Sequence, residues 1–109
     1  MILNNCLVNI YRKEVKKVGE TYQAGNFEMI YENIPSHIQP RSEILQTNVF
    51  MKYPDANYLG VIDAYFKIKE MDEIEVISGD ENLKNKRFII MGILAYPDHS
   101  ELALKEKNV

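Results

Sequence analysis

Apolar residues recur at every second position in several short runs of this chain, and no run keeps a period of three to four. Alternation puts successive side chains on opposite faces of an extended strand, so the pattern predicts an all-β protein. Cys6, Val8 and Ile10 mark a first strand over residues 5–12. The charged stretch 13–26, with Gly19 and Gly25, reads as a solvated hairpin connection longer than a tight turn. A second strand opens with Phe27, Met29 and Tyr31 on one parity and resumes with Ile34, Ser36 and Ile38 on the other. One extra residue near Glu32 and Asn33 produces such a phase slip, which predicts a β-bulge there. Pro35 lacks the N–H a ladder needs and belongs at an edge or bulge, and Pro40 ends the strand so that the chain can leave the sheet.

Ile62, Ala64, Phe66 and Ile68 alternate with Asp63, Tyr65, Lys67 and Lys69, which predicts a third strand over 61–70 with one buried and one wet face. Ile74 and Val76 mark a fourth strand over 73–77, followed by a loop rich in turn formers. Residues 87–96 are apolar almost throughout, as in a central strand covered on both faces, and Gly92 within them predicts a bend at a barrel corner. Leu102 and Leu104 mark the last strand, over 99–107. Short strands separated by turn signals give an antiparallel sandwich or barrel. The fold expected is a small antiparallel β-barrel of about six strands, one domain over 1–109, with a long loop between strands two and three.

That loop, 41–60, runs to about twenty residues where compact domains usually manage with four to six. Ile44, Leu45, Val49, Phe50, Met51, Tyr53, Tyr58 and Leu59 give it more apolar surface than a solvated linker carries. Ser42 is placed to cap a short helix reaching about Asn48. Two readings stand: the loop folds back to plug the barrel, or it reaches another subunit.

Composition narrows the function classes. The chain has 109 residues, 46 percent of them hydrophobic and 27 percent charged, enough for one globular core. Its longest apolar run, residues 89–96, is far shorter than a spanning helix needs, so neither membrane insertion nor secretion is expected. A net charge of -3 gives no footprint for wrapping nucleic acid, although an acidic wall would let a duplex slide past without trapping it. The lone Cys6 has no internal disulfide partner and reads as a small buried side chain in a reducing compartment. His37 and His99 are the only histidines, and neither sits in a nucleophilic or metal-ligand motif. His37 is expected to face solvent, and His99 to bond nearby backbone. Asp72, Glu73 and Glu75, with Asp80 and Glu81, lack the spacing of a calcium loop and read as a solvated acidic rim. No catalytic site, cofactor or metal is expected.

The order of features resembles the head-completion or stopper family of head-tail connector proteins in long-tailed bacteriophages and prophages. VNIYRK reads as that family's opening strand, FEMIYENIPSHIQP as its second strand, and FIIMGILAYPDHSELALKE as its closing hairpin. Where the family often has a glycine-rich tract after the QP element, residues 41–60 are apolar and aromatic. The resemblance implies a structural virion protein at the head-tail junction, assembled in the host cytoplasm into a ring beneath the portal and adaptor. Such a ring helps retain packaged DNA, which passes its channel without specific binding, and offers a docking surface to tail-completion proteins. On this reading Ile44, Leu45, Phe50, Met51 and Tyr53 make subunit or channel contacts by their position in the loop. The alternatives are a small-barrel nucleic-acid- or protein-binding module, with Tyr11, Tyr31 and Tyr65 as stacking platforms, and an enzyme, for which no constellation exists.

Overall fold

The structure is a computed structural model describing residues 4–19, 21–41, 50 and 52–107, without the side chains of 14–18 and 22–24. Six strands follow one another: β1 (Cys6–Val18), β2 (Thr21–Pro40), β3 (Tyr58–Asp63), β4 (Glu73–Gly79), β5 (Arg87–Ala95) and β6 (His99–Glu106). Every pairing is antiparallel, and the sheet closes in the order β1-β2-β3-β6-β5-β4, with β4 returning to β1. The expected all-β barrel of six strands is therefore present. Alternate residues of every strand fill the interior, among them Val8, Ile10, Ile34, Ile62, Phe88 and Leu104, each at most 2% exposed. Closure removes the edge that a strand as apolar as β5 would otherwise offer to other chains.

Two predicted irregularities appear in the register. Val8 pairs with Ile34 while Ile10 pairs with Tyr31, so β2 carries one residue more than β1 between them. Asn33 occupies that bulge in the left-handed region, φ 55, and its N–H donates to Asn9 Oδ1 at 3.0 Å. The side chain of Asn9 thus takes up an amide that the ladder leaves over. On β5, Ile90 pairs with Leu104 and Gly92 with Ala103, which puts a second bulge at the expected corner. Pro35 lies one residue beyond the last β2–β3 pair, Ser36 with Ile62, and Pro40 is the last residue of β2 before the chain leaves the sheet.

Three boundaries differ from the sequence reading. Residues 13–26 are no solvated loop: β1 and β2 stay paired as far as Val18 and Thr21, and Gly19 after β1 takes a left-handed conformation, φ 64. The run RKEVKKV carries no apolar alternation, so the sequence conceals its strand. Gly25 sits at a third bulge, since Lys13 pairs with Phe27 and Val15 with Ala24. The third strand spans Tyr58–Asp63, starting inside the stretch read as loop and stopping short of the expected 70. Asp63 stops it, because its side chain accepts the Tyr65 N–H at 2.8 Å and its carbonyl accepts that of Phe66 at 3.2 Å. The rest of the alternating run becomes a crossover whose Phe66 and Ile68 pack against the barrel core. The expected helix from Ser42 to Asn48 lies outside the described residues.

Candidate interaction surfaces

Outside the barrel, Leu59 and Val61 of β3, Ala103 of β6, and Met91 and Leu94 of β5 form a second apolar cluster. Their parity is opposite to that of the interior residues Ile62, Leu102 and Leu104. The end of the long loop seats Phe50 and Ala56 on this strip, each only 2% exposed. Tyr53 lays its ring where a side chain at position 92 would stand, so the glycine of the β5 bulge leaves a socket for it. The Arg41 guanidinium covers the Phe50 ring at 4.8 Å and donates to the carbonyls of Pro54 at 2.6 Å and Ala56 at 3.2 Å. Backbone bonds from Arg41 to Asn57 and from Asn57 to Leu104 fix both ends of the turn against the sheet. The Tyr53 hydroxyl donates to Glu70 Oε1 at 3.0 Å, and this bond raises the phenol's pKa.

The described end of the loop covers the outer face of β3, β6 and β5. Phe50 is spent inside its own chain, and Tyr53 is half-buried against Gly92. Ile44, Leu45 and Met51 lie outside the described residues. The apolar character of β5 on both faces is explained by the core on one side and this loop on the other.

A second surface was not legible as such. Beyond Tyr11, β1 has no β4 partner, and before Ser36, β2 has no β3 partner, so the two continue past the barrel as a two-stranded arm. The molecule measures 48 Å along its longest axis against 30 and 29 Å across. Ionic contacts tie the base of the arm to the barrel. Arg12 grips Asp72 with both nitrogens, Nε to Oδ1 at 3.0 Å and Nη2 to Oδ2 at 2.8 Å, and also donates to the Lys67 carbonyl. This pairing raises the Arg12 pKa and leaves the Asp72 side chain 3% exposed. Glu73, 5% exposed, is bracketed by Arg87 at 2.5 Å and Lys107 at 3.1 Å. Arg87 in turn lies over the rings of Tyr11 at 4.4 Å and Phe27 at 5.3 Å, and the Tyr11 hydroxyl donates to Glu75 at 2.9 Å. The acidic rim expected at 72–75 is thus corrected: Asp72 and Glu73 are buried ion-pair partners, because the cations that neutralise them arrive from β1, β5 and the end of β6.

The remaining reactive groups are used structurally. Cys6 is buried with its thiol toward the Ser36 carbonyl at 3.4 Å, and burial, with Asp80 nearby, pushes it up to about 11. His37 Nε2 lies 3.1 Å from Gln39 Oε1. His99 stacks on Tyr96 at 4.8 Å and holds Asp98 at 2.6 Å, a bond that lowers the carboxyl's pKa. Asp63, Asp98 and His99 border a groove of about 730 Å³ with Pro35, Val61 and Phe66. The described residues contain no group of three His, Cys, Asp or Glu placed for a metal. Tyr31 meets Phe66 edge to face at 5.2 Å and accepts the Lys67 N–H, Tyr11 lies beneath Arg87, and Tyr65, though 77% exposed, also meets Phe66 edge to face at 5.3 Å, so all three candidate stacking rings have contacts within the chain.

Fold and surfaces together define a closed antiparallel barrel with one outer face covered by its own loop and a two-stranded arm at one end. Compared with protein-family models and with curated proteins, the chain matches none.

Proposed function

We propose that this chain is a structural protein of the phage head-tail connector, a head-completion or stopper component that joins a ring beneath the portal and adaptor. The observation that carries this reading is the division of labour in the fold: a rigid closed barrel, and strands that run past it to leave paired backbone exposed where a neighbour can add to it. The segments that carry the resemblance support it, since FEMIYENIPSHIQP lies on β2 and FIIMGILAYPDHSELALKE makes the β5–β6 hairpin. The net charge of -3 suits a wall past which packaged DNA moves without being held. In this role the protein works at the head-tail junction of the virion, retains DNA in the head and presents a surface to the tail-completion protein. The site of its assembly is the host cytoplasm.

The reading is tested by co-expressing the chain with portal and adaptor proteins of a long-tailed phage and imaging the product by electron microscopy. A ring of added density beneath the adaptor is expected. Portals that recover no such density, together with submicromolar, salt-sensitive gel shifts on DNA, would replace the connector by a nucleic-acid-binding module.

A further inference from the structure

The arm leaves the barrel at a bent joint. Val8 pairs with Ile34, Ile10 with Tyr31 and Tyr11 with Met29, so over three steps of β1 the facing strand β2 gains two residues. Each extra residue bends a ribbon and interrupts its ladder, so pairing alone does not fix the angle at which the arm stands. Among the described residues the outer partners also stop here: β1 meets β4 as far as Tyr11, and β2 meets β3 only from Ser36. Side chains from other elements must set the angle. Close to the joint, Ile30 and Tyr31 pack on the barrel core and Arg12 holds Asp72. Farther out stands Phe27, paired with Lys13, and its ring is gripped by cations: Lys107 at 5.2 Å, Arg87 at 5.3 Å and Lys13 at 5.7 Å. Lys107 and Arg87 are also the two cations on Glu73, and the Lys107 N–H donates to the Arg87 carbonyl at 2.8 Å. The same pair thus bridges a buried barrel carboxylate and an arm ring.

From this bridge we infer that the arm is latched: Lys107 and Arg87, held in place by Glu73, grip Phe27 and set the angle of the arm, and loss of the grip lets the ribbon pivot about its bulged joint. The latch is drawn from β2, β4, β5 and the residue after β6, so it forms only once the barrel has closed. Lys107 is its movable part. Its side chain is 39% exposed against 27% for Arg87 and 5% for Glu73, and a cation over a ring at so open a site is held weakly. When Lys107 lets go, Glu73 keeps Arg87 as its partner, so the barrel is not left with a buried unpaired carboxylate. The latch therefore opens without unfolding the sheet beneath it. The inference goes beyond the connector reading and does not rest on it.

The test is a distance distribution, measured by double electron–electron resonance on the whole chain. Nitroxides are placed at Glu28→Cys on the arm and Lys84→Cys on the turn between β4 and β5, both exposed positions, with the buried thiol removed by Cys6→Ala. The parent is expected to give one narrow distance. Lys107→Met keeps the stem and removes the charge, and Phe27→Leu keeps an apolar side chain and removes the ring. Each should widen the distribution at least about twofold, and the two together should widen it no further than the larger single effect, because both open one latch. Hydrogen exchange of the β3–β6 pairs, residues 58–62 with 100–104, should stay unchanged and so separate an open latch from an unfolded barrel. Should Phe27→Leu disturb those amides, Lys107→Met alone decides. A parent that is already broad, or a Lys107→Met distribution as narrow as the parent's, overturns the inference. Effects of the two substitutions that add also overturn it, since ring and cation would then act separately.

Discussion

At the residue scale the most consequential position is Gly92. A β-carbon there would stand inside the Tyr53 ring, and the ring, half-buried, has room to swing out. Gly92→Ala is therefore expected to release Tyr53 and lower stability by about 1 kcal/mol, read as faster hydrogen exchange over residues 52–57 with β6 unchanged. Cys6 gives a second prediction. Its thiol ionises only at about 11 in the folded chain against an ordinary value of 9.0, so between those values the unfolded chain has lost a proton that the folded one keeps. Stability is fully present below pH 9 and falls as pH rises from 9.0 towards 11, by on the order of 2 kcal/mol. Urea unfolding of wild type and Cys6→Ala at successive alkaline pH values should show this extra fall in the wild type alone. Alkaline profiles that run parallel would remove burial as the cause.

At the scale of elements, the loop and the arm base make contrasting claims. Phe50 is 2% exposed beneath the Arg41 guanidinium, and Phe50→Ala is expected to lower stability by about 3 kcal/mol, the range for truncating a buried aromatic. An unchanged melting temperature with lost assembly would instead make Phe50 an interface residue. At the arm base, Arg12→Ala strands Asp72, whose side chain is 3% exposed, as a buried unpaired carboxylate. A third of Arg12 remains wet, so the expected loss of about 2 kcal/mol lies below the fully buried range; thermal melts at neutral pH measure it. How much of this was legible follows from what each residue touches. The interior faces of β1, β4 and β6 and the Asn33 bulge read directly from alternation, because burial on one face leaves a period of two. The arm did not, because the run RKEVKKV carries no apolar alternation and reads like a loop. The burial of Asp72 and Glu73 did not either, since their partners Arg12, Arg87 and Lys107 converge only once the barrel closes. The loop's apolar content announced that it needed a cover, and for Phe50, Tyr53 and Ala56 the cover is the outside of their own sheet, which depends on β5 being apolar on both faces.

For the molecule as a whole, a closed barrel fixes the geometry, with the described end of the long loop on its outer face and a two-stranded arm beyond it. Phe50, Tyr53 and Ala56 of the loop after Pro40 pack on the barrel from without, and the arm continues the β1–β2 pairing past it. The proposed role is assembly at the head-tail junction, and its most direct measurement is the DNA content of heads made by a phage that lacks this chain. The account predicts that such heads package DNA, lose it on isolation and fail to join tails, and that supplying the chain restores retention. Filled, tailed and infectious particles formed without the chain would contradict it.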